Sequence, residues 1–367
     1  MRANTLTIIT YTLILFIGTS PLFGASRTCD PCACPESSCC PPPDPCAKCA
    51  QIWPCRGPDW IITPNGGPCV ACGMDVHITA EFLYWTARED QLTFVLKESL
   101  EMIESQTSVA SQGHASQPDW QFDPGFKVGL GILYDHDGWD IYANYTWFRV
   151  CTSKKKVSAD ENERLTIKPL ITIDNPSSVT AQWRLEFNTV DLELGRNFFI
   201  SRCLKLRPHV GLKGTWQKQD YPIETVGRTA MDRDFSFTNE MDYWGVGLRA
   251  GLDTSWHWSR CISVFGDIAV SALWQGYDVD TKVVAEPPRT VAIDFTSNCH
   301  VVNPVVELLL GLRWETWFCC ELYHFSAEGG WEIQWWNDQN RFSNFYPGDL
   351  LGDLFLQGLT LKFRLDF

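Results

Sequence analysis

The residues with the most chemical potential crowd near the start of the chain. Ten of its 16 cysteines, Cys29, Cys32, Cys34, Cys39, Cys40, Cys46, Cys49, Cys55, Cys69 and Cys72, fall in one short stretch. Thiols at this density do one of two things. Three of the spacings are CxxC (Cys29/Cys32, Cys46/Cys49, Cys69/Cys72), which suits zinc in a reducing compartment. Behind an export signal the same cysteines favour disulfides. The stretch is dense in proline, including Pro41-Pro42-Pro43, and poor in large apolar residues, so it cannot build a core of its own. Adjacent Cys39-Cys40 in stiff surroundings makes full pairing within one chain geometrically awkward. Disulfide cross-links to other cysteine-rich envelope proteins are the expectation that follows.

An export signal does precede the stretch. Met1 to Ser26 carries Arg2, an apolar core around Thr12-Leu13-Ile14-Leu15-Phe16-Ile17-Gly18, and small residues at Gly24-Ala25-Ser26. These are the parts of a cleaved secretory signal peptide, with a core too short for a stable span. Cys29 follows Ser-Arg-Thr and not small apolar residues, which argues against a lipoprotein. The expected organisation is a signal peptide over 1–26, a Cys/Pro-rich periplasmic arm over 27–74, disordered or disulfide-stapled, and a body over 75–367.

The body holds a second set of chemically able side chains. Glu81, Lys127, Asp140, Lys205, Arg207, Lys213, Arg249, Asp253, Asp267, Glu307, Arg313, Glu315 and Glu328 all sit on the polar face of alternating segments. Each is a candidate to line an aqueous pore, and each is equally able to fill a lumen as half of an ion pair. An enzyme would need a nucleophile beside a base. His209, His324 and Ser326 share the polar face, yet no Ser/His/acid set is convincingly spaced, so neither an enzyme nor a cofactor or metal site is expected. The net charge of -14 argues against nucleic acid as a partner.

The elements that position these charges are strands. Leu354 to Phe367 reads LFLQGLTLKFRLDF. From Leu359 on, Leu359, Leu361, Phe363, Leu365 and Phe367 alternate with Thr360, Lys362, Arg364 and Asp366. Period 2 with one apolar and one charged face is a β-strand. A last strand ending on an aromatic residue, with Phe363, Leu365 and Phe367 outward, is what closes outer-membrane barrels, lipid outside and lumen inside. The same alternation runs through Val76–Thr86, Phe126–Tyr134, Trp139–Trp147, about 180–199, Leu204–Trp216, Trp244–Trp256, Ile262–Trp274, Val302–Trp314 and Tyr323–Trp335. A phase change near Asn188-Thr189 suggests a bulge. Gln91–Lys97 is an ambiguous apolar run. Outside the N-terminus no run of 18 apolar residues exists, so no helical span is expected. The 17 Trp suit interfacial girdles, with sugar-binding walls as the competing use.

Connection lengths alternate. Short turns fall near 136, 201, 259 and 318, and long segments near 88–121, 151–179, 219–239, 278–299 and 336–353. The expected fold is therefore an all-β, antiparallel up-and-down transmembrane barrel of about ten strands, within a range of roughly 8–16. Cys203, Cys261, Cys319 and Cys320 would lie at short periplasmic turns, with Cys151 and Cys299 at external loop edges.

Several stretches resemble the Legionella-type major outer membrane protein family and similar porins of environmental chlamydiae. They are AEFLYW (Ala80 to Trp85), FDPGFKVGLGILYDHDGWDIYANYTWF (Phe122 to Phe148), GGWEIQWWNDQNR (Gly329 to Arg341) and LQGLTLKFRLDF (Leu356 to Phe367). The resemblance implies a cysteine-containing barrel at the surface of a Gram-negative bacterium, considered a porin, with no catalytic residues to carry over. The expected function is passage of small hydrophilic solutes or ions by a barrel disulfide-linked into the envelope. The alternative is a cross-linked structural surface protein or adhesin with a filled lumen. The expected partners are outer-membrane lipid, the barrel assembly machinery and other Cys-rich envelope proteins, and homo-oligomerisation stays open.

Overall fold

The computed structural model describes residues 63–64, 67–68, 70 and 74–367, except 100–112, 135–137, 161–162, 168–175, 202, 229–232, 260, 287–288, 320–321 and 343–350. The expected signal peptide, the ten arm cysteines and Cys320 lie outside the described residues.

Ten long strands make the wall: β1 (Met74–Glu89), β2 (Phe122–Tyr134), β3 (Trp139–Cys151), β4 (Arg184–Arg196), β5 (Leu204–Asp220), β6 (Asp234–His257), β7 (Ile262–Glu286), β8 (Thr290–Phe318), β9 (Tyr323–Asn340) and β10 (Gly352–Asp366). Each pairs antiparallel with the next in sequence. β10 then pairs with β1, which closes the ring. Closure reaches the last residue: Val76 N donates to the Phe367 carbonyl at 3.0 Å, and Phe367 N to the Val76 carbonyl at 2.9 Å.

The faces sort as the alternation requires. Ile78, Phe82, Val128, Leu130, Leu192, Leu212, Leu248, Val270, Leu310 and Phe363 point outward and are exposed. Aromatic residues bound this apolar belt. On one side Trp216 pairs with Trp244, whose ring meets Trp274 at 5.4 Å, while Phe126 stacks on Trp147. On the other side lie Trp139, Trp256, Trp314 and the stacked pair Phe318/Tyr323. Trp244 and Trp256 are twelve positions apart on β6. At ~3.4 Å per residue and ~40° of tilt that is roughly 30 Å of height, the thickness of a hydrocarbon core.

Three sequence expectations are corrected. No bulge exists at Asn188-Thr189, because β4 keeps register with β3 from Arg184 to Arg196 and with β5 from Arg184 to Gly195. What changes there is the chemistry of the interior, from Asp191 and Glu193 to Leu185 and Phe187, all buried. The register shifts occur instead at Val283/Val284 and between Trp336 and Asn340. Second, 278–299 is mostly strand. β7 and β8 run for 25 and 29 residues and continue past the aromatic belt. The apolar-out alternation inverts there: Asp278, Asp280 and Lys282 face out, and Tyr277, Val279 and Val283 face in. Third, much of 219–239 is also strand, since β5 reaches Asp220 and β6 starts at Asp234.

The described parts of the remaining long segments fold into a cap at the same end. Val95–Ser99 pairs with Gly113–Ser116 and with Glu163–Ile167 in a small separate sheet. Ile223–Val226 extends the wall beside β6 and carries Ser178–Ala181, which carries Lys155–Ser158. The ambiguous Gln91–Lys97 run thus joins the cap and adds no hairpin to the wall.

The belt gives a direct test. Leu248→Arg places a cation near mid-height on the lipid side and should destabilise the folded barrel in phosphatidylcholine vesicles by about 2–4 kcal/mol. Thr238→Arg, outward on the same strand but beyond the girdle, should shift the urea midpoint little.

Candidate functional site

The lumen is the site, and its two halves differ. The half nearer the short turns starts from an unusual inner face on β2, where Gly129 and Gly131 alternate with Lys127. Without side chains there, neighbouring rings lie on bare backbone. A Cβ on Gly131 would sit 2.1 Å from the His77 ring, and one on Gly129 2.4 Å from the Tyr142 hydroxyl. His77 and Tyr142 stack at 5.6 Å, and the Tyr142 hydroxyl shares a 2.7 Å hydrogen bond with Thr79.

Around them the inward charges find each other. Arg207 donates from Nε and Nη2 to Asp140, as close as 2.6 Å, and from Nη1 to Glu193 at 3.0 Å and Asp253 at 2.7 Å. Arg249 reaches Glu193 at 3.2 Å and also pairs with Glu307. Lys213 lies 2.8 Å from both Asp191 and Glu307. Lys127 pairs with Glu332 at 2.6 Å, Arg313 with Glu328 at 2.7 Å, and Lys362 with Glu81 at 3.7 Å. Near the terminus, Asp366 accepts from Arg364 at 2.5 Å and lies 2.7 Å from His324 Nδ1. Glu315 sits between His257 and His324, at 3.6 and 3.5 Å. Ionised groups away from bulk water need such partners, because an unpaired buried charge is strongly destabilising.

Most of these residues line a polar cavity of about 160 Å³. Eleven of the thirteen charges singled out from sequence line it, all but Lys213 and Glu315. Sequence reasoning passed over Asp191 and Glu193, and placed Glu332, Lys362 and Arg364 on polar faces without singling them out. The supposed bulge on β4 hid the first two. The last two were legible in the polar face of the closing strand. His209 and His324 are held by carboxylates: His209 by Asp253 at 3.3 Å, His324 by Asp366. Among the described residues neither ring is hydrogen-bonded to a hydroxyl or thiol.

The other half of the lumen is apolar. Trp85, Phe148, Phe187, Met241, Leu273, Trp336, Leu354 and Leu356 point inward and are fully buried. They merge with Phe237 of β6 and with Leu92, Phe94, Leu165, Val179, Trp183 and Ile223 of the cap into one cluster. Phe187 meets Trp336 edge-on at 5.3 Å. The indole N–H groups are satisfied: Trp85 donates to Thr360 at 3.0 Å, Trp183 to Gln219 at 3.1 Å and Trp336 to Gln334 at 3.2 Å. At the boundary between halves the Lys127 ammonium lies 4.9 Å over the Trp85 ring, and Lys213 lies 5.9 Å from Trp336. In the cap, the Lys97 ammonium 2.8 Å from Glu163 holds that carboxyl below its usual range.

Among the described cysteines, Cys203, Cys261 and Cys319 flank β5, β7 and β8 at the short-turn end, and Cys151 and Cys299 lie toward the other. Thr63, Pro64, Gly67 and Val70 are also at the short-turn end. Thr63 and Pro64 pair with Phe199 and Phe198, Gly67 packs on Leu133, and Val70 N donates to Asp75 at 3.0 Å.

No curated protein matches the chain. Solved structures that resemble it include the outer membrane protease OmpT from Escherichia coli, 9% identical, with a TM-score of 0.40 over 80% of this chain and 96% of that one. A Pseudomonas aeruginosa FadL homologue is 8% identical, with a TM-score of 0.22 over 81% of this chain and 90% of that one. The Pseudomonas putida toluene transporter TodX is 9% identical, with a TM-score of 0.26 over 81% and 89%. Likenesses this distant carry no argument about what this chain does. The family model of the Legionella pneumophila major outer membrane protein precursor, in contrast, matches residues 67–367. The whole closed wall and its cap fall inside that match, and the chain belongs to this outer-membrane protein family.

Proposed function

We propose that this protein is an outer-membrane barrel with a filled lumen, serving as a surface and scaffold protein of the envelope and not as an open diffusion pore. The carrying observation is the plug. Trp85, Phe148, Phe187, Leu273 and Trp336, each at most 1% exposed, occupy the inner face of the wall and are continuous with the core of the cap. Below them, most of the charges that would line a pore are committed to one another. Ten strands lie close to the size at which side chains alone fill a barrel.

The scaffold role includes covalent anchorage by the Cys-rich arm. Support comes from the turn-end positions of Cys203, Cys261 and Cys319 and from the approach of Thr63, Pro64, Gly67 and Val70 at that end. In this reading the short turns and the arm face the periplasm, where thiols oxidise. A second reading, passage of small hydrophilic solutes or ions, is favoured by the polar cavity and its charged lining. It requires the cap segments to withdraw the plug.

Three measurements test these readings. Purified, refolded protein in planar bilayers should show no steady channels, and Trp336→Ala combined with Phe187→Ala should produce them. Steady conductance by the unaltered protein would establish the second reading instead. Arg207→Met removes one cationic partner from each of Asp140, Glu193 and Asp253 and should destabilise the barrel by about 3–5 kcal/mol, read as a lowered urea midpoint in vesicles. Deleting residues 29–72 should abolish high-mass species on non-reducing gels while leaving heat-modifiable mobility intact; unchanged cross-linking would remove the arm from the scaffold role.

A further inference from the structure

Two groups stand outside the luminal ion network. Among the described residues, neither the Lys205 ammonium nor the Asp267 carboxylate has an ion-pair or hydrogen-bond partner, and both line the cavity. Their surroundings make the lack of partners informative. Asp267 lies directly opposite Asp253 across the β6–β7 ladder. Like charges so placed repel, and Arg207 and His209 are both turned to Asp253, at 2.7 and 3.3 Å. Asp267 is therefore the carboxyl group left to meet an incoming cation. Lys205 lies opposite Ser255, whose hydroxyl accepts from Arg313 at 2.9 Å, and Arg313 is already bound to Glu328. Lys205 is therefore the cation left for an incoming anion.

The two groups belong to neighbouring parts of one wall. Ser255 and Asp253, their partners in register, are two residues apart on β6 and share its inward face. The cavity between them, about 160 Å³, has room for on the order of ten waters, hence for a small organic solute. A ligand that satisfies both must carry one positive and one negative charge on a short frame.

We propose that the luminal cavity is a binding site for a small zwitterion of the α-amino-acid class, its carboxylate on Lys205 and its ammonium on Asp267. The site does not require an open channel, because the apolar plug bounds the polar half of the lumen on the cap side. It takes the solute from the short-turn end, where Leu133 lines the cavity and touches Gly67.

Titration calorimetry on the refolded full-length barrel tests this with three probes: L-alanine, N-acetyl-L-alanine, which lacks the cation, and L-alaninamide, which lacks the anion. Saturable binding of L-alanine is expected, with each blocked form at least tenfold weaker. Lys205→Met should remove the preference over alaninamide while keeping that over N-acetylalanine, and Asp267→Asn the reverse. Heat-modifiable mobility reports whether each variant is folded, and the three probes on the unaltered protein decide the matter even if a variant is not. No binding of L-alanine, or equal binding of all three probes, overturns the proposal. A conducting barrel that binds no L-alanine would overturn the site and leave the transport reading standing, whereas a silent barrel that binds it would do the opposite.

Discussion

The structure depends on one constraint, the satisfaction of every backbone N–H and C=O in a hydrocarbon medium that offers no water. An open edge there leaves groups unpaired at several kcal/mol each. The β10–β1 ladder is what meets this constraint, and it is completed by the terminal residue itself, through the Val76/Phe367 pair. Even strand number and the placement of both ends of the wall on one side follow from closing an antiparallel ring.

Within that ring, what a strand shows on each side depends on the solvent at that height. At the level of the lipid, β6 and β7 present Leu248 and Val270 outward and Arg249 and Asp267 inward. Past the aromatic belt the same two strands present Asp242, Asp278 and Asp280 outward and bury Met241, Tyr243, Val279 and Val283. Backbone pairing does not notice the change; the ladder runs on from Asp234/Glu286 to His257/Ser263. The barrel is thus an inside-out membrane protein along one length and an ordinary soluble sheet protein, with an apolar core, along the rest.

The ionic half is held by geometry more than by attraction alone. Taking charges from water is expensive, and a buried pair recovers the loss only with good hydrogen bonding. Arg207 meets that condition by serving three carboxylates from β3, β4 and β6 at once, which ties separate strands across the lumen. The glycines of β2 contribute differently, since their bare backbone lets His77 and Tyr142 lie flat where side chains would otherwise collide.

How much was legible in the sequence differs along the chain. Strand identity, facing and number were readable wherever lipid lay outside, because a two-residue period with charge on one side only is a local property; Leu359 to Phe367 displays it in nine residues. Most of the inward charges were named on the same ground. Asp191 and Glu193 were lost because Leu185 and Phe187 share their face, and a local reading takes apolar residues for the lipid side. The sequence by itself thus determined the barrel and its lipid-facing belt. Only the tertiary structure decided that the lumen is plugged, which cations meet which carboxylates, and that Lys205 and Asp267 stand apart. Those facts depend on side chains more than a hundred positions apart converging across a closed ring, as Gln219 does on Glu89 and Gln339 on Gln217, and no local pattern encodes that convergence.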